Sequence, residues 1–183
     1  MNKCEHSPDG EHFFVPDLDN PEGQTSCCNC GITLDEFQGN QLKLEFFTAG
    51  KAIFTVQCPD GKHYTYKIKK AKPKKDARGK EYPPIFFVSL LTGPDNTSDY
   101  TYMGTMSQTG EVRLTSKSKY TEDTFAFRLI QRTMAVIWAD EQEKMTAKGY
   151  KVHHEGRCGR CGRRLTVPES ILSGIGPECA KRV

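Results

Sequence analysis

Two Cys-x2-Cys-Gly turns stand out in the sequence, Cys27-x2-Cys30-Gly31 near the N-terminus and Cys158-x2-Cys161-Gly162 near the C-terminus. Two residues between thiolates let both sulfurs reach one ion at about 2.3 Å, and the trailing glycine lets the backbone turn its N–H groups toward them. Each turn has further donors at a distance in the chain. Cys179 follows the C-terminal turn, with His154 four residues before Cys158 as the fourth ligand and His153 as the alternative. Cys4 and His6 precede the N-terminal turn across a turn-rich loop, with His12 as a weaker substitute for His6. Both sets have the Cys3His form of a closed structural zinc site, so two zinc ions are expected. A redox Cys-x-x-Cys pair would need a thioredoxin-like βαβ surround, which neither region has. Cys28 reads as a spectator thiol and Cys58 as a small buried hydrophobe.

Eight cysteines in 183 residues is a high count, and the polar start of the chain shows no apolar secretion signal. A reducing compartment is therefore expected, where thiols serve metal rather than disulfides, and a cytoplasmic location follows. No apolar run approaches the roughly 18 residues of a membrane span. The net charge of +3 conceals two opposite halves. Residues 1–40 hold eight acids against one base, a net of −7, and residues 41–183 hold 25 bases against 15 acids, a net of +10. A polyanion would meet the body, not the head.

The elements that must position these groups are legible in part. Residues 42–116 are rich in β-branched and aromatic residues and broken by turn signals such as Asp60-Gly61, Gly93-Pro94-Asp95 and Thr109-Gly110. They predict strands over 42–47, 52–56, 63–69, 85–91, 100–103 and 112–115, with 85–91 buried on both faces. Phe127, Ile130, Met134, Ile137 and Glu141 repeat at helical spacing and predict one long helix over 121–147 packed on the sheet, Trp138 included. Thr121 or Thr124 would cap it, and Gly149 lies past its end. Thr166-x-Pro168-Glu169 has the form of a capping box, so a short helix through Ile171 would stop at Gly174. Gly176-Pro177 then starts another short helix and returns Cys179 to the knuckle.

Between two predicted strands lies a basic arm. Lys67, Lys69, Lys70, Lys72, Lys74, Lys75, Arg78 and Lys80 supply eight bases in fourteen residues, with Asp76 the single acid. The arm reads as a long flexible hairpin loop, with Tyr64, Tyr66 and Tyr82 beside it. Such a positive arm tracks phosphates, and exposed aromatics stack on bases. A second basic group, Arg157, Arg160, Arg163 and Arg164, surrounds the C-terminal knuckle.

The segment His154-Glu-Gly-Arg-Cys158-Gly-Arg-Cys161-Gly-Arg-Arg-Leu-Thr-Val-Pro-Glu-Ser-Ile-Leu-Ser-Gly-Ile-Gly-Pro-Glu-Cys179 resembles a small cysteine-rich domain found in proteins of bacteriophages and other bacterial mobile elements. The resemblance is tight over residues 153–180 and looser over 42–116, where Phe47–Val56 is similar to segments that precede that domain. It implies zinc binding and a phage or prophage origin, and it implies no activity.

These observations predict an α+β fold: an antiparallel β-sheet or small barrel with one long helix, flanked by N-terminal and C-terminal zinc modules. The domains would be 1–40, acidic and zinc-bearing; 41–150, the β-rich core with its helix; and 151–183, the zinc-knuckle module. No P-loop, dinucleotide fingerprint or H-E-x-x-H is present, so catalysis is not expected. The function expected is non-catalytic binding of nucleic acid, single-stranded DNA or RNA ahead of a duplex site. The expected contacts are Tyr64, Tyr66, the arm bases and the knuckle arginines. The alternative is a module that inhibits a host protein through the acidic head. No membrane partner is expected, and oligomeric state is left open.

Overall fold

The computed structural model describes residues 7–8, 14–16, 25–28, 42–166 and 168–182. Cys4, His6, His12 and Cys30 lie outside the described residues, so the N-terminal metal set is not addressed by the structure. Cys27 falls in a short strand, β2 (Thr25–Cys27), which pairs antiparallel with β1 (Phe14–Pro16).

The main body is an open antiparallel sheet of six strands: β3 (Lys51–Gln57), β4 (His63–Lys70), β5 (Phe86–Leu91), β6 (Tyr100–Met106), β7 (Val112–Arg113) and β8 (Lys151–His154). Their spatial order is β7-β6-β5-β4-β3-β8, so β7 and β8 are the two edges. The sheet does not close into a barrel. The central strands are hairpin neighbours, as the turn signals require: Asp60-Gly61, with Gly61 at φ +81°, closes β3 onto β4. β8 is not evident from periodicity. It returns from far along the chain to pair with β3, placing Val152 opposite Val56 and His154 opposite Phe54.

Alternation along the strands separates the two faces. Ala52, Phe54 and Val56 of β3, Tyr66 and Ile68 of β4, and Phe86, Val88 and Leu90 of β5 are buried. They meet α2 (Phe125–Trp138), which buries Ala126, Phe127, Ile130, Met134 and Ile137. The expected stripe is therefore the packed face. Burial of one such side chain contributes about 1.5–3 kcal/mol, so this face dominates the stability of the body.

Three expectations are corrected. Residues 42–47 do not form a strand; α1 (Leu44–Thr48) is a short helix with Phe46 and Phe47 both buried. Adjacent phenylalanines that must both face the core do not suit a one-sided strand, where neighbours point opposite ways. The helix over 121–147 is divided. It begins at Phe125, after Glu122 and Asp123, and ends at Trp138, where Asp140 turns left-handed at φ +54°. A second short helix, α3 (Glu143–Thr146), follows. Trp138 is 53% exposed and not part of the core. Among the described residues, no helix is long and apolar enough to cross a membrane.

Tyr66 ties sheet to helix. It is fully buried, and its hydroxyl donates to the Ala126 carbonyl at 2.8 Å. Tyr66→Phe should lower stability by about 1 kcal/mol, the net worth of one buried hydrogen bond, and Tyr66→Ala by about 3–5 kcal/mol through cavity formation. Denaturant titration that found Tyr66→Ala no worse than Tyr66→Phe would contradict this packing.

Candidate metal centre

The C-terminal module is built on glycines. Gly156 at φ +65° and Gly162 at φ +79° allow a tight knuckle. Within it Gly162 N–H donates to Cys158 O, Cys158 N–H to Arg163 O, and Leu165 N–H to Gly156 O, each at 2.8 Å. After it comes α4 (Pro168–Ser173), which stops at Gly174, φ +68°. Then α5 (Pro177–Ala180) starts at its N-cap Gly176 with proline at the first helical position. Both short helices match the sequence reading.

This path returns Cys179 to the knuckle. The sulfurs of Cys158, Cys161 and Cys179 all lie within 4.8 Å of one another, the one such ligand group among the described residues. Cys158 is buried against Leu165 and Ile175, Cys179 is half-buried, and Cys161 is exposed. Gly176 N–H points at Cys158 Sγ, 3.4 Å away. Burial pushes the Cys158 thiol up, but N–H groups of Gly176, Cys161 and Arg160 outweigh it and bring it down to about 7. Cys179 moves the other way, to about 11, through burial and then the neighbouring thiols of Cys161 and Cys158. Converging thiols with one primed as thiolate fit a soft divalent cation, and the donor set is consistent with zinc.

His154 does not join them. Its Nε2 bonds the Ile171 carbonyl at 2.7 Å and its Nδ1 accepts from Gly156 N–H at 3.0 Å. Those two bonds select the neutral ring, protonated at Nε2 and not at Nδ1. Burial also lowers its pKa below the usual imidazole value. In this arrangement His154 bridges the start of the knuckle to α4 instead of facing the sulfurs. His153 lies on β8 opposite Thr55.

The module is seated on the body by Phe46. A Cβ on Gly159 would stand 2.8 Å from the Phe46 ring, and one on Gly174 would stand 2.4 Å from it. Gly159 N–H donates to Gly174 O at 2.9 Å, and Lys51 N–H donates to Gly159 O, so the knuckle joins the start of β3. The His154 ring lies 5.7 Å from the ring of Phe46.

The expected nucleic-acid residues divide between the faces. Tyr64 and Tyr66 are on the helix side of β4: Tyr66 is buried, and Tyr64 packs 5.5 Å from the Phe125 ring. Tyr66 therefore has no ring face free to stack on a base. Lys67 and Lys69 point the opposite way, from the open face. Lys67 Nζ sits 4.5 Å over the Tyr100 ring and donates to Thr97 O. Lys70, Lys72 and Lys74 line the arm, Lys75 pairs with Glu81, and Arg78 and Lys80 lie at its tip. The arm is an ordered hairpin: Asp76 Oδ1 accepts from the N–H groups of both Arg78 and Lys80. Arg157 reaches the open face. Arg160 donates to the carbonyls of Cys179 and Arg182, bracing α5, and Arg163 and Arg164 are exposed on the knuckle.

Sequence reasoning missed the aromatics of the open face. Phe87 is 44% exposed and lies 6.2 Å from the ring of Tyr102, and Tyr100 is on the same face. The signals were Tyr100-x-Tyr102 at strand spacing and Ser89, which broke the supposed two-sided burial of β5.

Residues 152–183 match a family of unknown function (DUF6011), a span that includes all three gathered cysteines. No curated protein and no solved structure matches the chain. The C-terminal segment is thus a cysteine-rich module with a metal-competent thiol cluster.

Cys161→Ser should release one metal ion per chain and loosen the module, because zinc affinity in such small units, about 10–16 kcal/mol in zinc peptides, is also folding energy. Elemental analysis finding no metal lost from this variant would refute the assignment. Gly174→Ala, by displacing Phe46, should speed metal loss to a chelator while leaving the three thiols intact.

Proposed function

We propose that this protein is a non-catalytic, zinc-containing binder of single-stranded nucleic acid, and that the strand lies across the open face of the sheet. The observation that carries the reading is the asymmetry of that sheet. One face is closed by α1 and α2, while the other presents Phe87, Tyr100 and Tyr102 among Lys51, Lys67 and Lys69. Where β3 and β4 meet the metal module, Lys51, Lys67, Lys69 and Arg157 surround a hollow of about 350 Å³, with Glu155 the acid in its lining. Cations beside ring faces offer the two terms that hold a single strand, phosphate neutralisation and base stacking.

In this reading zinc is structural. The thiolates of Cys158, Cys161 and Cys179 would hold the ion and tie the module together, which keeps Arg157 at the edge of the face. His154 supports the site through Gly156 and Ile171. The resemblance in the C-terminal segment supports a phage or mobile-element origin for such a protein.

Two measurements test this. Lys51, Lys67 and Lys69 changed together to Gln should reduce the log–log salt slope for oligothymidylate by about 2, since each phosphate contact on a single strand contributes about 0.7. Tyr102→Ala should cost about 1–3 kcal/mol of affinity, a loss that persists at high salt. Unchanged oligonucleotide affinity in both variants, with a salt-resistant stoichiometric complex formed with a host protein, would replace this reading by host-protein inhibition. For the metal, cobalt substitution should give spectra that His154→Ala leaves unaltered. An altered ligand field would make His154 the fourth ligand.

A further inference from the structure

The arm between β4 and β5 opens into a groove of about 610 Å³. Its cause is in the sequence. The two sides of the arm are paired at both ends: Ala71 N–H donates to Ile85 O at 2.8 Å and Tyr82 N–H to Lys74 O at 2.9 Å, with Lys75 opposite Glu81 beyond. Between those points stand Pro73 on one side and Pro83 and Pro84 on the other, and proline has no N–H to give a ladder. The strands therefore part and leave a trough.

The trough has an apolar floor and a cationic rim. Tyr82, Ile85 and Phe87 are 58%, 48% and 44% exposed, which makes them three of the five exposed large apolar side chains among the described residues. Lys70, Lys72 and Lys74 follow one side, and the one acid in the lining, Glu81, is paired with Lys75 at 3.5 Å. Phe87 belongs both to this trough and to the open face of the sheet, where it stands across from Lys69. Lys69 in turn lines the smaller basic hollow. Trough, sheet face and hollow are thus one continuous surface.

We propose that the trough is a base seat. It takes the nucleobase at one end of the bound single strand against the rings of Tyr82 and Phe87, while the adjoining phosphates lie on Lys70, Lys72 and Lys74. A flat apolar body with anionic groups outside it is what this floor and rim complement. The inference rests on the preceding reading, since it is the shared surface through Phe87 that makes a nucleotide the occupant. An acidic peptide with an aromatic side chain is the competing occupant.

The test uses the full chain, a fluorescent oligothymidylate of twelve nucleotides, and copies of that oligonucleotide with a single abasic site at each position in turn. Tyr82 is exposed, so Tyr82→Ala should melt as the parent does; Tyr82→Trp serves as the conservative variant. The expected result is a loss of five-fold or more in Tyr82→Ala, restored in Tyr82→Trp. An abasic site at one end should weaken the parent by a similar factor and leave Tyr82→Ala no weaker still, because both changes delete the same contact. Parent binding with no effect of Tyr82→Ala, or losses that add at every position, overturns the base seat and leaves the sheet-face reading intact. Unchanged oligonucleotide binding by Tyr82→Ala with lost binding of a Glu-rich, Phe-containing peptide assigns the trough to a peptide instead. Failure of the parent to bind the oligonucleotide at low salt overturns both readings.

Discussion

The contact between the Phe46 ring and the backbone of Gly159 and Gly174 is the constraint on which the molecule depends. It joins the two apolar clusters, the one between sheet and helix and the one beneath the thiols. Phe46 is 1% exposed, so its ring belongs to the core, yet its edge is a wall of the metal module. Only residues without a Cβ allow that approach. The knuckle turn and the turn after α4 must therefore both be glycine at these points. Closure of the thiol cluster and core packing are coupled through this contact, because the turns that bring the thiols together also hold the two glycines against the ring.

The second organising feature is the phase of the strands. A one-residue shift exchanges the faces of a strand. On β4, Tyr64, Tyr66 and Ile68 take the helix side, and Thr65, Lys67 and Lys69 take the other. The tyrosines that look suited to stacking are consequently structural, and the stacking candidates come from β5 and β6. The lysines of this strand's other face reach solvent because a lysine can snorkel its charge out while its stem lies on the sheet.

Electrostatics at the thiols and along the open face are of different kinds. At Cys158, backbone N–H dipoles fixed by the knuckle stabilise a thiolate in spite of burial. Along the sheet, charge is carried by side chains in a solvent-open hollow, where salt screens it. The first is a property of one fold geometry. The second varies with ionic strength.

Much of this was legible in the sequence, for local reasons. The thiol spacing, the stop at Gly174, the hairpin turn at Asp60-Gly61 and the apolar stripe of α2 each depend on neighbours a few residues away. The order of the strands, the pairing of β8 with β3 and the helical state of residues 44–48 did not show, because each is decided by partners distant in the chain. The same holds for His154. Its place beside the cysteines in sequence suggests a ligand, but the carbonyl of Ile171 and the N–H of Gly156 meet its two nitrogens in the folded chain. Which face of the sheet a helix covers is likewise a tertiary decision, since alternation defines two faces without saying which one meets solvent.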